Sequence, residues 1–333
     1  MKRKGKRIWS LIFCVVMAIT MVSGNTLLVN ASDAKTIGSD KKNKADDTAI
    51  NYVALGDSIA AGYGLPGYRA GTTPEKAYVS IVGNALGGRM VNLAKDGLTS
   101  LKLLETLDTL RPSQSEYLSQ ANIITLSIGS NDLLKPFMGI IAEKLACDVS
   151  EIQTKLAELK ANNNQLALLR IMAELNADDG TGLKNNPDLK NAADAFAVNF
   201  RKIIARIKEL APNARIIVTN AYNPYEGINL NYVLGTLKLG EITDIYIQEL
   251  NKAFTANSAD YTLIDVYAAF SDSFKNGVSP VNANLSAFNF DPHPNVVGHS
   301  LIAKEILKPY AIAVMPIKTI IQGILHSLGK RNP

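Results

Sequence analysis

Five short runs of apolar, mostly β-branched residues recur along this 333-residue chain, and they limit its fold more than any other feature. Tyr52 to Leu55, Met90 to Leu93, Ile123 to Ile128, Ile216 to Thr219 and Leu263 to Val266 are each of strand length. Between them apolar residues fall at helical intervals, as in Phe196, Phe200, Ile203, Ile204, Ile207 and Leu210. Strands alternating with helices predict a parallel sheet, because a parallel neighbour is reached only by a crossover long enough to hold a helix. The expectation is one α/β domain over residues 49–311.

The formal charge of +5 raises the question of a nucleic-acid partner, and its location answers it. Lys2, Arg3, Lys4, Lys6 and Arg7 are the only charged residues before position 32, and without them the remaining 30 bases face 30 acids. No basic stripe with interleaved aromatics follows, so nucleic acid is excluded as a partner. Behind those five charges Ile8 to Val22 is apolar except for Ser10 and Thr20, and small or polar residues lead to Ala31. Residues 1–31 therefore read as a signal peptide of a secreted protein, of Gram-positive-type bacterial character, with an uncleaved membrane anchor as the rival. The polar residues 32–48 read as a solvated linker. With 47% hydrophobic and 20% charged residues the chain as a whole is composed to bury a core, which excludes a disordered or fibrous chain. Past the signal segment only Cys147 remains, read as a small buried hydrophobe with no disulfide and no chemistry.

Residues 133–195 exceed what one crossover needs. Spacings such as Ile152, Leu156 and Leu159, then Leu168, Met172 and Leu175, predict an inserted set of helices broken at Asp178-Asp179-Gly180. That acidic pair lacks calcium-loop spacing and reads as a turn.

In open α/β sheets ligands bind beyond the carboxyl ends of the strands. There this chain places Gly56-Asp57-Ser58 after the first run, Gly97 after the second and Gly129-Ser130-Asn131-Asp132 after the third. A serine hydroxyl needs a base to become a nucleophile, and histidine suits that work near neutrality. Of three histidines, His326 lies in the terminal tail and His299 within a helix predicted over Val296 to Leu307, while His293 sits in a turn between Pro292 and Pro294. Ser58 and His293 are thus the candidate nucleophile and base, on chemistry and position.

Taken in order, Gly56-Asp57-Ser58, Asn92 to Gly97, Gly129 to Asp132, and His293-Pro294-Asn295 with Gly298-His299 resemble the SGNH, or GDSL-type, hydrolases. The resemblance spans residues 50–311 and implies a flavodoxin-like three-layer α/β/α fold on about five parallel strands. It implies a secreted carboxylic ester hydrolase, with Ser58 attacking the carbonyl, His293 shuttling the proton, and an acyl-enzyme resolved by water or a second alcohol. By the same resemblance the oxyanion donors are the backbone N–H groups of Ser58 and Gly97 and the side-chain amide of Asn131, Gly97 letting the backbone approach closely. Neither cofactor nor metal is implied. The departure is at the third triad position: most of the family has an aspartate three residues before the histidine, and here that residue is Phe290. Asp291, two residues before His293, orients the imidazole through an altered turn, or else a backbone carbonyl or water does so.

Rival readings stay in view. Gly62-Tyr63-Gly64-Leu65-Pro66-Gly67 fits a dinucleotide pattern but starts six residues too late after its strand, and reads better as a rim of the site. A classical α/β-hydrolase would carry its nucleophile elbow much later in the chain. A non-catalytic wall- or lipid-binding protein on a hydrolase scaffold is the alternative from another class. The substrate is an acyl ester of a small molecule, lipid or glycan, leaving lipase, carboxylesterase and carbohydrate O-deacetylase open. Phe137, Met138, Ile140 and Ile141 either wall an acyl pocket or pack on the sheet. The stripe Ile317, Ile320, Ile321, Ile324, Leu325 and Leu328, in residues 312–333, either packs on the domain or touches lipid or cell wall.

Overall fold

The computed structural model describes residues 50–256, 258–284 and 291–310. The signal segment, the linker, Phe290 and the terminal stripe lie outside the described residues. Among the described residues no helix is long and apolar enough to cross a membrane.

Each of the five apolar runs forms a strand: β1 (Asn51–Gly56), β2 (Arg89–Asn92), β3 (Ile123–Ser127), β4 (Arg215–Thr219) and, after a small hairpin, β7 (Thr262–Ile264). All are parallel, in the order β2-β1-β3-β4-β7. The fifth is shorter than its run, since Asp265 caps a helix beginning at Val266.

Side chains alternate through the sheet, so both of its faces are buried. Val53, Leu55, Ile124, Leu126, Ile216 and Val218 point into one apolar layer, and Tyr52, Ala54, Ile123, Ile217 and Ile264 into the other. The first layer is covered by α3 (Ser100–Asp108), α4 (Pro112–Ser119), α5 (Ser130–Leu145), α8 (Pro187–Leu210) and α9 (Leu239–Thr255). There Phe196 and Phe200 of α8 pack on Phe254 of α9, their ring centroids 5.2 and 4.9 Å from it. The second layer is covered by α2 (Tyr78–Leu86), α10 (Val266–Lys275) and α11 (Val296–Leu307). The fold is the expected three-layer α/β/α stack.

The crossover from β3 to β4 holds the expected extra helices, with different limits. The helix after β3 starts at Ser130, and α6 (Ile152–Ala161) and α7 (Gln165–Leu175) follow. The crossover helix α8 starts at Pro187, so the last nine residues of the 133–195 segment belong to it. Asn186 accepts from Asp188 N at 3.0 Å and Pro187 opens the first turn, a start signal that apolar periodicity alone does not show. Asp179 closes the expected turn, accepting from Thr181 N at 3.0 Å. Cys147 is not in a helix interior: it is half-buried just past α5, which ends on the left-handed residue Ala146. The hairpin β5 (Leu230–Tyr232) and β6 (Gly235–Leu237), which lies before α9, has no counterpart in the sequence reading.

Candidate active site

The carboxyl ends of β1 and β3, neighbours in the sheet, hold the site, where an open sheet with this strand order has its switch point. Asp57, the residue after β1, caps the short helix α1 (Ser58–Ala61) by accepting from Ile59 N at 3.0 Å. Ser58 is therefore the first helical residue, its backbone N–H unused by the helix and its side chain at the strand edge. Near the other end of the domain's sequence the turn bearing His293 is fixed by its neighbours. Asn282 N donates to His293 O at 2.9 Å, and the Asn295 amide, which caps α11, donates to Ser279 O and Val281 O at 2.8 and 2.9 Å.

These two segments, 235 residues apart, meet at one hydrogen bond: Ser58 Oγ lies 2.9 Å from His293 Nε2. His293 Nδ1 lies 2.6 Å from Asp291 Oδ1, which also accepts from His293 N at 3.1 Å. The hydrogen bonds define the tautomer: Nδ1–H donates to the carboxylate, leaving Nε2 to accept from the serine hydroxyl. Of the groups considered for orienting the imidazole, the structure places Asp291 at its Nδ1. Burial opposes the charge of Asp291, but hydrogen bonds from the ring and amide of His293, its charge and the Asn282 side chain outweigh it and hold the carboxyl below the usual range. Ser58, Asp291 and His293 are 7%, 2% and 8% exposed, so the relay is shielded yet open on one side.

His299 stands apart from this chemistry. It is fully buried in α11, where Nδ1 accepts from Tyr78 N at 3.1 Å, and burial pushes its pKa to about 3. It is a neutral core residue.

Asn131, in the first turn of α5, donates its amide to Leu98 O at 3.0 Å and to Asp57 Oδ2 at 3.4 Å. The first bond ties it to the loop carrying Gly97, and that loop is pinned in turn to β1 by Lys95 N, which donates to Gly56 O at 3.0 Å. Gly97 is exposed with φ +69°, and a Cβ there would meet nothing within 4 Å. Its glycine thus suits a left-handed backbone conformation and leaves open space beside the loop. Asp57 and Asp132 are acids the sequence reading gave no role. Burial raises the Asp57 carboxyl to about 7, partly countered by the Ile59 amide and by His293. Burial likewise raises Asp132, which accepts from the amide and hydroxyl of Ser100 and so fastens α5 to α3.

A cavity of about 110 Å³ opens beside Ser58, Asn131 and His293. Part of its lining comes from α5, through Leu133, Leu134 and Phe137, and part from Ile242, Tyr246 and Ile247 of α9. Phe137 therefore lines the pocket, whereas Met138, Ile140 and Ile141 are buried in the core beside the sheet. The α9 wall is invisible in sequence, since those residues carry an ordinary helical apolar stripe. Tyr246 is locked in place, accepting from Asn186 N at 2.9 Å and donating to Leu183 O at 2.7 Å.

Known proteins resemble this chain in sequence and in fold. The uncharacterized protein YpmR of Bacillus subtilis (strain 168) is 26% identical over 296 residues, which is 84% of this chain and 90% of that protein. A lipase from a goat rumen metagenome has a similar structure, with a TM-score of 0.50 at 19% identity, covering 78% of this chain and 96% of that one. Phospholipase A1 from Streptomyces albidoflavus gives 0.50 at 20% identity, covering 77% and 99%. At these identities the likeness concerns the fold. Residues 54–301, from within β1 to within α11, match the GDSL-like lipase/acylhydrolase family, and the chain belongs to it.

Proposed function

We propose that this protein is an exported serine carboxylesterase or lipase that forms an acyl-enzyme on Ser58. The observation that carries the reading is the continuous relay from Ser58 Oγ through His293, 2.9 Å on one side, to Asp291, 2.6 Å on the other. Ser58 attacks the ester carbonyl as His293 takes its proton, and Asp291 holds the imidazole and stabilises its positive form. His293 then gives that proton to the departing alcohol, and a water activated by His293 releases the acid. The oxyanion is received by the N–H groups of Ser58 and Gly97 and by Asn131, whose 3.4 Å bond to Asp57 is the weaker of its two and the one an oxyanion displaces.

The apolar cavity supports an acyl group longer than acetyl, which favours lipid or other acyl esters over acetylated glycans. Export rests on the basic and apolar pattern of residues 1–31, and protein recovered outside producing cells would then begin after Ala31. Protein kept inside cells with an intact amino terminus would refute it. For the reaction, the test is labelling by a fluorophosphonate alongside turnover of p-nitrophenyl esters from acetyl to decanoyl. Wild type is expected to label and turn over, fastest beyond acetyl, while Ser58→Ala does neither. A folded wild-type protein that neither labels nor hydrolyses any ester of the series overturns the reading.

A further inference from the structure

The motif Gly62-Tyr63-Gly64-Leu65-Pro66-Gly67 lies against the proposed base. Gly62 ends α1 in a left-handed turn, and Tyr63 N donates back to Ser58 O at 3.0 Å. That places the Tyr63 ring on the imidazole of His293, with centroids 4.6 Å apart and planes at 47°. At Gly64 a Cβ would lie 2.7 Å from Asn282 Nδ2, 3.3 Å from Asp291 Oδ2 and 3.6 Å from His293 Cβ, so the segment runs too close to the Asp291–His293 unit to admit a side chain there. Leu65 is 4% exposed and anchors the segment. Further along, Tyr68 packs edge-on against Tyr63 at 5.2 Å, and its hydroxyl donates to the carboxylate of Asp96, next to Gly97.

We propose that residues 62–68 are a strap that positions the general base, with Tyr63 as the positioning residue that holds the His293 imidazole toward Ser58. This rests on Ser58 and His293 reacting as described above. A hydrogen bond at an imidazole nitrogen is directed along the ring plane, so the bonds at Nδ1 and Nε2 resist tilting of the ring out of that plane less than a group packed beside it. The Tyr63 ring is such a group. The electron-rich face of tyrosine also favours the imidazolium formed when Ser58 loses its proton. Through Tyr68 and Asp96 the strap connects the base to the loop carrying the Gly97 donor, so the two halves of the site are held in one register.

The test is steady-state hydrolysis of a soluble short-chain ester by wild type, Tyr63→Leu, Tyr63→Phe and Tyr68→Phe, with thermal melting of each. Tyr63→Leu is expected to lower kcat about tenfold with KM within about twofold, as loss of orientation rather than of binding predicts. Tyr63→Phe, which keeps the ring, is expected to stay within about twofold of wild type, and Tyr68→Phe to fall between the two. Should Tyr63→Leu not fold, Tyr63→Met carries the same expectation. The inference is overturned if the folded Leu or Met variant retains wild-type kcat, or if Tyr63→Phe is as impaired as that variant. An inactive wild type would instead sink the esterase reading, so the two failures are distinguishable.

Discussion

Asp291 reaches Nδ1 of His293 at 2.6 Å although only Pro292 separates the two residues. The same oxygen accepts the backbone N–H of His293 at 3.1 Å, so the acid folds back over its own turn and meets the ring by the shortest route the chain allows. The turn is rigid because proline on each side of His293 limits its backbone, and Tyr222 Oη holds the Pro292 carbonyl at 2.9 Å.

Replacing Asp291 with Asn keeps the shape of the turn but removes the charge that fixes the tautomer. The expected fall in kcat is roughly 10³-fold, smaller than that of Ser58→Ala, because the serine, the donors and substrate binding remain. Single-turnover kinetics with a p-nitrophenyl ester would check it, and a loss as deep as that of the serine variant would show that Asp291 does more than orient.

Asn131→Ala removes one of the three proposed oxyanion donors. An oxyanion donor acts on the transition state, so kcat is expected to fall by about 10²- to 10³-fold with KM little changed. A large rise in KM at constant kcat would assign Asn131 to substrate binding instead.

Leu134→Trp fills the cavity from its α5 wall. The ratio of kcat/KM for decanoyl over acetyl esters is expected to fall by at least about tenfold, since the acyl chain loses its apolar surroundings while the reacting atoms are untouched. An unchanged ratio across the series would place the acyl chain elsewhere.

Asp57 makes stability depend on pH in an unusual direction. Its carboxyl titrates at about 7 in the folded protein, raised by burial, against about 3.9 in an unfolded chain. Between those values the folded state holds a proton that the unfolded state has lost, so this group makes stability fall as pH rises from about 4 to 7, by at most about 1.4 kcal/mol per unit, and level off above. Asp291, with its lowered pKa, acts in another window: its contribution is present above about 4 and lost in acid. Asp57→Asn abolishes the first effect only. The melting temperature of the variant minus that of wild type should therefore be higher at pH 8 than at pH 5, whatever constant offset the exchange adds. A difference independent of pH would mean that Asp57 is ionised in the fold throughout.

The five strands were readable because a sheet covered on both faces turns each strand into an unbroken apolar run, a pattern local to a few residues. The helix Val296–Leu307 was equally plain, having Asn295 as its cap and proline before it. The hairpin at Leu230–Leu237 was not, since its strands are three residues long with polar Asn231 between apolar neighbours, too little to register as a period. The strands themselves and the candidate nucleophile and base follow from local residue types and their places after strands, whereas the order of the strands in the sheet does not. What only the tertiary structure decided are relations across the chain: Asp291 rather than another group at Nδ1, α9 lining the same cavity as Phe137, and Tyr63 on the imidazole. Apolar periodicity states that a residue is buried, but not against what, and a short side chain's reach depends on backbone angles that composition does not encode. Those partners are set by packing and turn geometry, which exist only once the sheet has brought residues 58, 131 and 293 to the same edge.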